Sequence, residues 1–148
     1  MDKRAFRRLA QLLSAQGARE QSSAHALERT LTAERQHEKT RNAARQTLEQ
    51  TLADWRSAMT QPTYDPVLMA LYAAAERRSA ETVAHRENAY AKAQHETALK
   101  RQRHAGERAR KRGLERRAKQ LRSRLARKDE ERVIAEFTTR LLLDWKHS

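Results

Sequence analysis

Both prolines of this chain lie close together near its midpoint. They occupy positions 62 and 66 of 148 residues, within the segment TQPTYDPVLMALY that runs from Thr60 to Tyr72. Proline cannot continue a helix, and the residue before it is pushed towards extended backbone geometry. Asp65 followed by Pro66 is typical of a helix start, because aspartate caps free amide groups and proline suits the first helical position. The segment therefore predicts one sharp turn between two long helices.

The composition of the rest of the chain favours helix. Ala, Leu, Arg, Glu, Gln and Lys dominate, and these are strong helix formers. Two Trp, three Tyr and two Phe supply too little bulky apolar matter for a compact globular core of this length. Low hydrophobicity with a net charge of +13 is also typical of disorder. Because the helix formers are so abundant, we expect an elongated helical protein rather than a disordered one.

Residues that could face the other helix recur in steps of three and four along both predicted helices, and we call this row of positions the seam. In the first helix the seam runs through Phe6, Leu9, Leu13, Gln16, Glu20, Ala24, Leu27, Leu31, Glu34, Glu38, Arg41, Arg45, Leu48, Leu52, Trp55 and Met59. In the second it runs through Leu68, Leu71, Tyr72, Ala75, Val83, Tyr90, Ala93, Ala98, Leu114, Ala118, Leu121, Leu125, Val133, Phe137, Leu141 and Trp145. This spacing is typical of a coiled coil. Since its middle is polar, alanines, aliphatic stems and ion pairs must hold it.

These features predict an all-α fold, a long antiparallel two-helix coiled-coil hairpin with a proline-marked tip. We expect one elongated domain over residues 1–148, with helices at 3–59 and 66–146 and the tip at 60–65. This pairing places Leu27 near Ala98, and the second helix extends past the first by about 20 residues, or ~30 Å. Gly17 then falls level with Gly106 and Gly113. The three glycines are either tolerated surface positions or a shared point of flexibility or close helix approach.

Nearly all of the excess positive charge lies in residues 97–128, which contain 14 basic and two acidic side chains. On a helix these cations surround much of the circumference and attract polyanions such as nucleic acid, anionic lipid or an acidic protein cavity. Phosphate contacts need only Lys and Arg, but the run has no aromatic residue to stack on bases. A solvated charged face is the simpler alternative.

The sequence lacks the patterns of catalytic and metal sites. There is no cysteine, and the six histidines, at 25, 37, 85, 95, 104 and 147, do not have zinc-binding spacing. No glycine-rich phosphate loop or activated nucleophile is present. We therefore expect a protein that is not an enzyme and that uses no metal or cofactor. Because no apolar run approaches the roughly 20 residues of a membrane span, we also expect a cytoplasmic protein without a transmembrane segment.

Two apolar clusters are larger than a two-helix seam needs. One, beside the tip, contains Val67, Leu68, Met69, Leu71 and Tyr72, which either pack on Trp55 and Met59 or dock on another protein. The other, near the C-terminus, contains Phe137, Leu141, Leu142, Leu143 and Trp145. Unless Phe6 and Leu9 cover it, the second cluster needs a partner or a second copy.

This layout resembles the stalk proteins of type III export machines, namely the flagellar export protein FliJ and its injectisome relatives of the YscO class. The resemblance rests on chain length, the hairpin, the mid-chain interruption and the C-terminal segment RKDEERVIAEFTTRLLL, in which Glu136-Phe137 is followed by Arg140. The arginine density of residues 97–128 and the polar seam fit an injectisome or diverged member better than a flagellar one.

The resemblance implies a central stalk that couples a hexameric secretion ATPase to the membrane export gate and contacts secretion chaperones. Carried onto this chain, the gate-facing stripe is Leu68, Leu71, Tyr72 and Ala75. The residues implied for the ATPase pore are Arg112, Arg116, Lys119, Glu136, Phe137 and Arg140. The alternative functions are a basic helical nucleic-acid-binding protein and another kind of coiled-coil adaptor. A membrane-surface helix is disfavoured, because the basic run lacks a bulky apolar face.

Overall fold

Two long helices make up almost the whole chain. The structure, a computed structural model, describes residues 2–146 apart from the side chains of Asp2, Lys3 and Asp144. Helix α1 spans Asp2–Met59 and helix α2 spans Pro66–Lys146, and no strand occurs within this described range. The helices pack against each other in antiparallel directions. The predicted all-α hairpin with its turn at the prolines is confirmed.

The turn is built by local hydrogen bonds at both helix ends. At the end of α1, the amide groups of Thr60 and Gln61 donate to the carbonyl oxygens three residues earlier, each at 3.3 Å, which tightens the last turn. At the start of α2, Asp65 Oδ1 accepts hydrogen bonds from the amides of Val67 at 2.9 Å and Leu68 at 3.3 Å. The sequence prediction that Asp65 caps α2 is confirmed.

The contacts between the helices divide the chain into two compact units. One unit is Ala24–Arg103 and contains the turn. The other combines the residues up to Ser23 with those from His104 onward. Each unit has its own set of contacts between α1 and α2.

In the Ala24–Arg103 unit the interface is narrow and largely polar. Thr97 is only 1 % exposed, and its hydroxyl donates to the carbonyl oxygen of Thr30 at 3.4 Å. Nearby Ala93 is the only buried hydrophobic residue within the described part of the chain. Because the closest layer consists of such small side chains, the helices can approach without a large apolar core.

Towards the turn, arginines on α1 hold the same unit together. Arg45 donates to a carboxylate oxygen of Glu87 at 2.6 Å. The guanidinium carbon of Arg41 lies 4.1 Å from the centroid of the Tyr90 ring, a cation–π geometry. The polar middle of the predicted seam is therefore bridged by charged side chains and their aliphatic stems.

The seam of α1 differs from the predicted one in alternate positions of this unit. Glu38, Arg45 and Met59 were assigned to the seam, but their side chains are exposed. The residues one position earlier, His37, Ala44 and Ala58, are partly buried in their place. They continue a strict seven-residue repeat through Gln16, Ser23 and Thr30, which is the repeat that coiled-coil packing favours. The sequence predicted the neighbouring row of positions as the seam, because that row contains Leu31 and Leu52, whose side chains are more hydrophobic than those of the buried row.

In the other unit, side-chain hydrogen bonds join the two helices in three places. The side-chain amide of Gln16, which is buried, donates to the backbone carbonyl of Glu107 at 3.2 Å and also to its carboxylate. The hydroxyl of Ser23 lies 2.9 Å from Nδ1 of His104. Lys111 donates to Glu20 at 2.6 Å.

Helix α2 continues past the beginning of α1. Phe6 of α1 packs near Arg122, whose guanidinium carbon is 5.7 Å from the ring centroid. Beyond Leu125, every side chain of α2 that the structure describes is exposed. We call residues 126–146 the terminal arm. Phe6 and Leu9 do not cover its apolar residues.

The three glycines lie within helices and not at a close approach. A Cβ atom at Gly17, Gly106 or Gly113 would meet no other atom within 4 Å, and none of the three has a positive φ. The interpretation of a shared close-approach point is wrong, because the helix surface around each glycine is open.

Candidate interaction surfaces

The first candidate is the tip surface, formed by five exposed apolar side chains around the turn. These are Met59, Tyr64, Val67, Leu68 and Leu71, of which Tyr64 is the most exposed at 77 %. They lie within the Ala24–Arg103 unit. The turn prevents α1 and α2 from covering one another completely at this point, so these side chains remain open to solvent.

The structure brings together only part of the predicted gate-facing stripe. Leu68 and Tyr72 line one groove of about 400 Å³, whereas Leu71 and Ala75 lie outside it. Leu68 and Leu71 are exposed, but Tyr72 and Ala75 are partly buried. Tyr72 and Ala75 therefore have less surface to offer a partner than the sequence suggested.

A second groove at the tip was not anticipated. It has a volume of about 320 Å³ and is lined mainly by Trp55, Met59, Pro62, Tyr64 and Met69. From the sequence, Tyr64 was predicted only to be part of the turn. The available signal was an aromatic residue between the two prolines in PTYDP, since a turn this short cannot bury such a side chain.

The second candidate is the basic groove on α2. Arg112, Arg116 and Lys119 line it together with Ala109 and Glu115, and its volume is about 480 Å³. The three cations follow one another at spacings of four and three residues, which places them on one helix face. They form no ion pair with any residue that the structure describes. Their charges are therefore available to an anionic partner.

The third candidate is the terminal arm. Val133, Phe137 and Leu141 follow at four-residue intervals and are exposed, and Trp145 continues the stripe with 84 % exposure. Glu136 lies beside this stripe and pairs with Arg132 at 3.9 Å. Arg140 is also exposed. The six predicted pore residues thus occupy two places, three in the basic groove and three on the arm.

The arginine-lined groove is a fourth surface, and none of its residues was predicted as a site. It lies between the start of α1 and α2 and has a volume of about 750 Å³. It is lined by four apolar residues and five polar ones, namely Ala5, Leu9, Leu12 and Leu121 with Arg4, Arg8, Arg117, Gln120 and Arg124. The sequence signal for this groove was the mixture of arginine and leucine in RAFRRLAQLL. This signal does not show which residues of α2 lie beside that segment.

One ion pair near these surfaces shifts the pKa of both partners. The hydrogen bond from Lys111 lowers the pKa of Glu20 below its ordinary value, with the positive charges of Lys111 and Arg108 adding to the effect. The carboxylate of Glu20 in turn raises the pKa of Lys111. Burial opposes both shifts. The ion pair itself accounts for both perturbations, so they indicate a structural contact rather than an acid–base site.

No arrangement typical of a metal site occurs among residues 2–146. No three histidine, aspartate or glutamate side chains that the structure describes are grouped so that they could hold an ion. His25 lies 3.9 Å from Glu28, and His104 contacts Ser23. His147 lies outside the described residues.

Over the same described range, neither helix contains a stretch long and apolar enough to cross a membrane.

Comparisons with known proteins add no relative to this description. No protein-family model matches the chain, and the searches of curated proteins and of solved structures gave no significant match.

Proposed function

We propose that this chain is the central stalk of a type III secretion system and couples a hexameric export ATPase to the membrane export gate. The observation that carries the proposal is the exposed apolar stripe of the terminal arm, which follows an arginine-rich stretch of the same helix. A helix with an uncovered apolar stripe requires a partner. The pore of a ring-shaped ATPase is a partner that can surround such a helix.

The charge of α2 supports an acidic pore as the binding site. Arg112, Arg116 and Lys119 are exposed in the basic groove and form no ion pair with a described carboxylate. Exposed charges of this kind raise the rate of association with an oppositely charged surface, and they contribute less to the affinity of the complex. A stalk that must turn inside a ring needs that combination of rapid encounter and modest affinity.

The tip surface is the proposed contact with the export gate. Val67, Leu68 and Leu71 are exposed at the start of α2, and Tyr64 extends the same surface into the turn. The tip surface and the terminal arm belong to different units, and they have no residue in common, so each is altered by its own substitutions. Secretion chaperones are further proposed partners, although no described surface is specific to them.

The test is capture of partners from an extract of the native host, with nuclease present, at about 50 and 300 mM salt. The wild-type chain should retain a hexameric ATPase and a membrane gate component. The variant Phe137→Ala/Arg140→Ala should lose the ATPase and keep the gate component. The variant Leu68→Ala/Leu71→Ala should lose the gate component and keep the ATPase.

Two matched controls show whether these losses are specific. Leu143→Ala alters an exposed leucine of the arm outside its stripe, and Leu99→Ala alters an exposed leucine away from the tip surface. Both should retain both partners. Recovery of neither partner by the wild-type chain would overturn the proposal, and so would equal losses in the control variants.

Nucleic-acid binding is the second candidate, and one observation favours it. Of the 14 basic side chains in residues 97–128, all except Lys100 and Lys111 are exposed. If this is the function, the chain should capture nuclease-sensitive material, and affinity should fall by about one power of salt concentration for each phosphate contact. Substitutions in the tip surface should then have no effect.

A further inference from the structure

We propose that residues 133–146 form only a marginal helix in the free chain, and that a partner of the apolar stripe completes this helix by binding it. We call these residues the stripe segment, because Val133, Phe137, Leu141 and Trp145 all belong to it. The structure shows the segment in its helical form. Its marginal stability follows from its own residues and surroundings, whereas its completion by the ATPase rests on the proposed function.

The stripe segment receives little support from packing against α1. Every described side chain of α2 beyond Leu125 is exposed, and within the segment Val133, Ile134 and Phe137 are each 64–65 % exposed. In folded proteins most helical stability comes from burying one face of the helix and not from helix propensity. The stripe segment lacks that contribution, so its stability depends on its own sequence.

Helix propensity falls where the stripe segment begins. The preceding residues 126–132, ARKDEER, are strong helix formers except for the aspartate. The next seven residues, VIAEFTT, contain four β-branched side chains, namely Val133, Ile134, Thr138 and Thr139. β-branched residues lose side-chain freedom in a helix. Because α2 is already folded beside α1, the helix needs no new nucleus and extends only while each added residue is favourable, which places its boundary near Val133.

The local contacts of the stripe segment add little to its stability. The hydroxyl groups of Thr138 and Thr139 each donate to the carbonyl oxygen four residues earlier at 2.8 Å. Hydrogen bonds of this kind slightly destabilise a helix and often bend it. Arg132 pairs with Glu136 at 3.9 Å, but the cation precedes the carboxylate, which is the weaker order of such a pair on a helix.

A marginal helix lowers the affinity of any partner that binds the stripe. Part of the interaction free energy is used to order the segment, so the affinity is lower than that of a rigid helix with the same contacts. The apparent affinity is reduced in proportion to the fraction of chains in which the segment is already helical. The proposed stalk needs modest affinity for the ring in which it turns, and a marginal helix supplies it although the stripe is apolar.

The first test is amide hydrogen exchange of the free chain, resolved by residue. Residues 107–121 begin at Glu107, which accepts a hydrogen bond from Gln16 of α1. Protection in the stripe segment should be at least about tenfold lower than in these residues. Ordinary fraying is confined to the last turn of a helix, whereas this inference expects protection to fall near Val133, about three turns before the end of α2.

Thr138→Ala/Thr139→Ala should stabilise the helical form without altering the stripe. Both threonines are exposed, and each alanine favours helix over threonine by a factor of about two to three. We therefore expect the protection of the stripe segment to rise about fivefold. The matched control is Thr32→Ala/Thr47→Ala, which removes hydroxyl groups that make the same kind of hydrogen bond at exposed positions of α1. It should leave exchange in the stripe segment unchanged.

The second test adds the hexameric ATPase that the capture experiment recovers. Its binding should raise the protection of the stripe segment in the wild-type chain to about that of residues 107–121. Thr138→Ala/Thr139→Ala should bind the ATPase up to about fivefold more tightly, because more of the chains already contain the complete helix. Thr32→Ala/Thr47→Ala should bind as the wild-type chain does.

The two tests separate failure of this inference from failure of the proposed function. Equal protection of the stripe segment and of residues 107–121 in the free chain would overturn the inference, whether or not the ATPase binds. If the wild-type chain captures no ATPase, the proposed function is wrong, and exchange of the free chain still decides whether the helix is marginal. Unchanged ATPase affinity of Thr138→Ala/Thr139→Ala, despite a more protected segment, would show that binding does not complete the helix.

Discussion

Glu20 and Glu34 both lie in the seam of α1, yet their carboxylates have opposite surroundings. Glu20 accepts a hydrogen bond from Lys111 and lies 3.9 Å from Arg108. Glu34 has a buried Oε2 with no hydrogen-bond partner among the described residues. At the scale of single residues, a polar seam is stable where partners meet and weak where a buried atom has none.

Glu20 should make stability depend on pH in the acid range. Its pKa is lower in the folded than in the unfolded state, so its contribution is complete at neutral pH and is lost as the pH falls through the lowered value. Lys111 acts in the opposite sense, and its contribution is lost as the pH rises through its raised pKa. Urea unfolding between pH ~3 and ~7 should show a smaller loss for Glu20→Gln than for wild type. The exposed Glu49→Gln should behave as wild type.

Replacing Glu34 by leucine should stabilise the hairpin. The change removes a buried oxygen without a partner and adds apolar surface to the seam, so we expect a gain of about 1 kcal/mol in the free energy of unfolding. Glu38→Leu is the matched control, since Glu38 is exposed, and should change stability by less than about 0.5 kcal/mol. Urea unfolding measures both. If Glu38→Leu gives the larger gain, the seam that we describe is wrong.

At the scale of secondary-structure elements, different interactions determine the stability of the helix ends and of the helix interiors. Local hydrogen bonds of Asp65 define the start of α2. Inside the helices, the three glycines reduce helix stability without allowing closer packing. Both features can be altered without touching the interface between α1 and α2.

Removing the Asp65 cap should weaken the turn. Asp65→Ala deletes the acceptor for the amides of Val67 and Leu68, and we expect a loss of about 1 kcal/mol. Asp65→Asn retains a side-chain oxygen and should lose much less. Thermal unfolding followed by circular dichroism gives both values. Equal losses for the two variants would show that the side-chain acceptor is not what matters.

Gly17→Ala, Gly106→Ala and Gly113→Ala should each stabilise the protein by roughly 0.5–1 kcal/mol. Alanine favours helix over glycine by about this amount, and the added methyl group meets no atom within 4 Å. The three effects should be additive, because each methyl group stands alone. Urea unfolding of the single and triple variants is the measurement, and a destabilising member would indicate a close contact in solution.

At the scale of the whole molecule, positive charge and exposed apolar surface coincide on α2. The net charge of +13 comes almost entirely from residues 97–128, most of which are exposed. Charge of this magnitude governs how fast the chain meets an acidic partner and how strongly salt interferes.

The basic groove should control the rate of association with the proposed ATPase. We expect Arg112→Gln/Arg116→Gln/Lys119→Gln to slow association about tenfold at low salt, with a smaller change in dissociation. The difference should shrink as salt increases. Arg77→Gln/Arg78→Gln/Lys92→Gln removes the same charge from exposed positions elsewhere and should slow association less. Surface plasmon resonance with immobilised ATPase measures both rates, and equal slowing would indicate a non-local charge effect.

Much of the hairpin could be predicted because its signals are local. Pro62 and Pro66 interrupt helix through their own ring geometry, and Asp65 caps α2 with bonds to residues two and three positions later. The extension of α2 beyond α1 followed from the unequal lengths on either side of the turn. The apolar stripe of the arm was also readable from four-residue spacing.

The exact positions of the seam and the grooves were harder to predict from the sequence. Predicted seam positions such as Glu38 and Met59 are exposed, since hydrophobicity does not show which of two adjacent rows faces the other helix. Gln16 was assigned to the seam and is buried, where it donates to Glu107. Ser23 was not assigned to the seam, because serine is a poor candidate for burial by residue type, and it is buried because His104 on α2 meets it.

The sequence by itself determined the two helices, the turn between them and the net charge. Helix propensity and proline geometry depend on residues that are close together in the chain, and net charge depends on composition alone. Only the tertiary structure decided that Leu9, Leu12 and Leu121 line one groove together with four arginines. It also decided that Thr97 is buried against Thr30 and that Tyr72 is partly covered while Leu71 is open. These outcomes depend on the register between α1 and α2, which the packing of side chains distant in sequence sets.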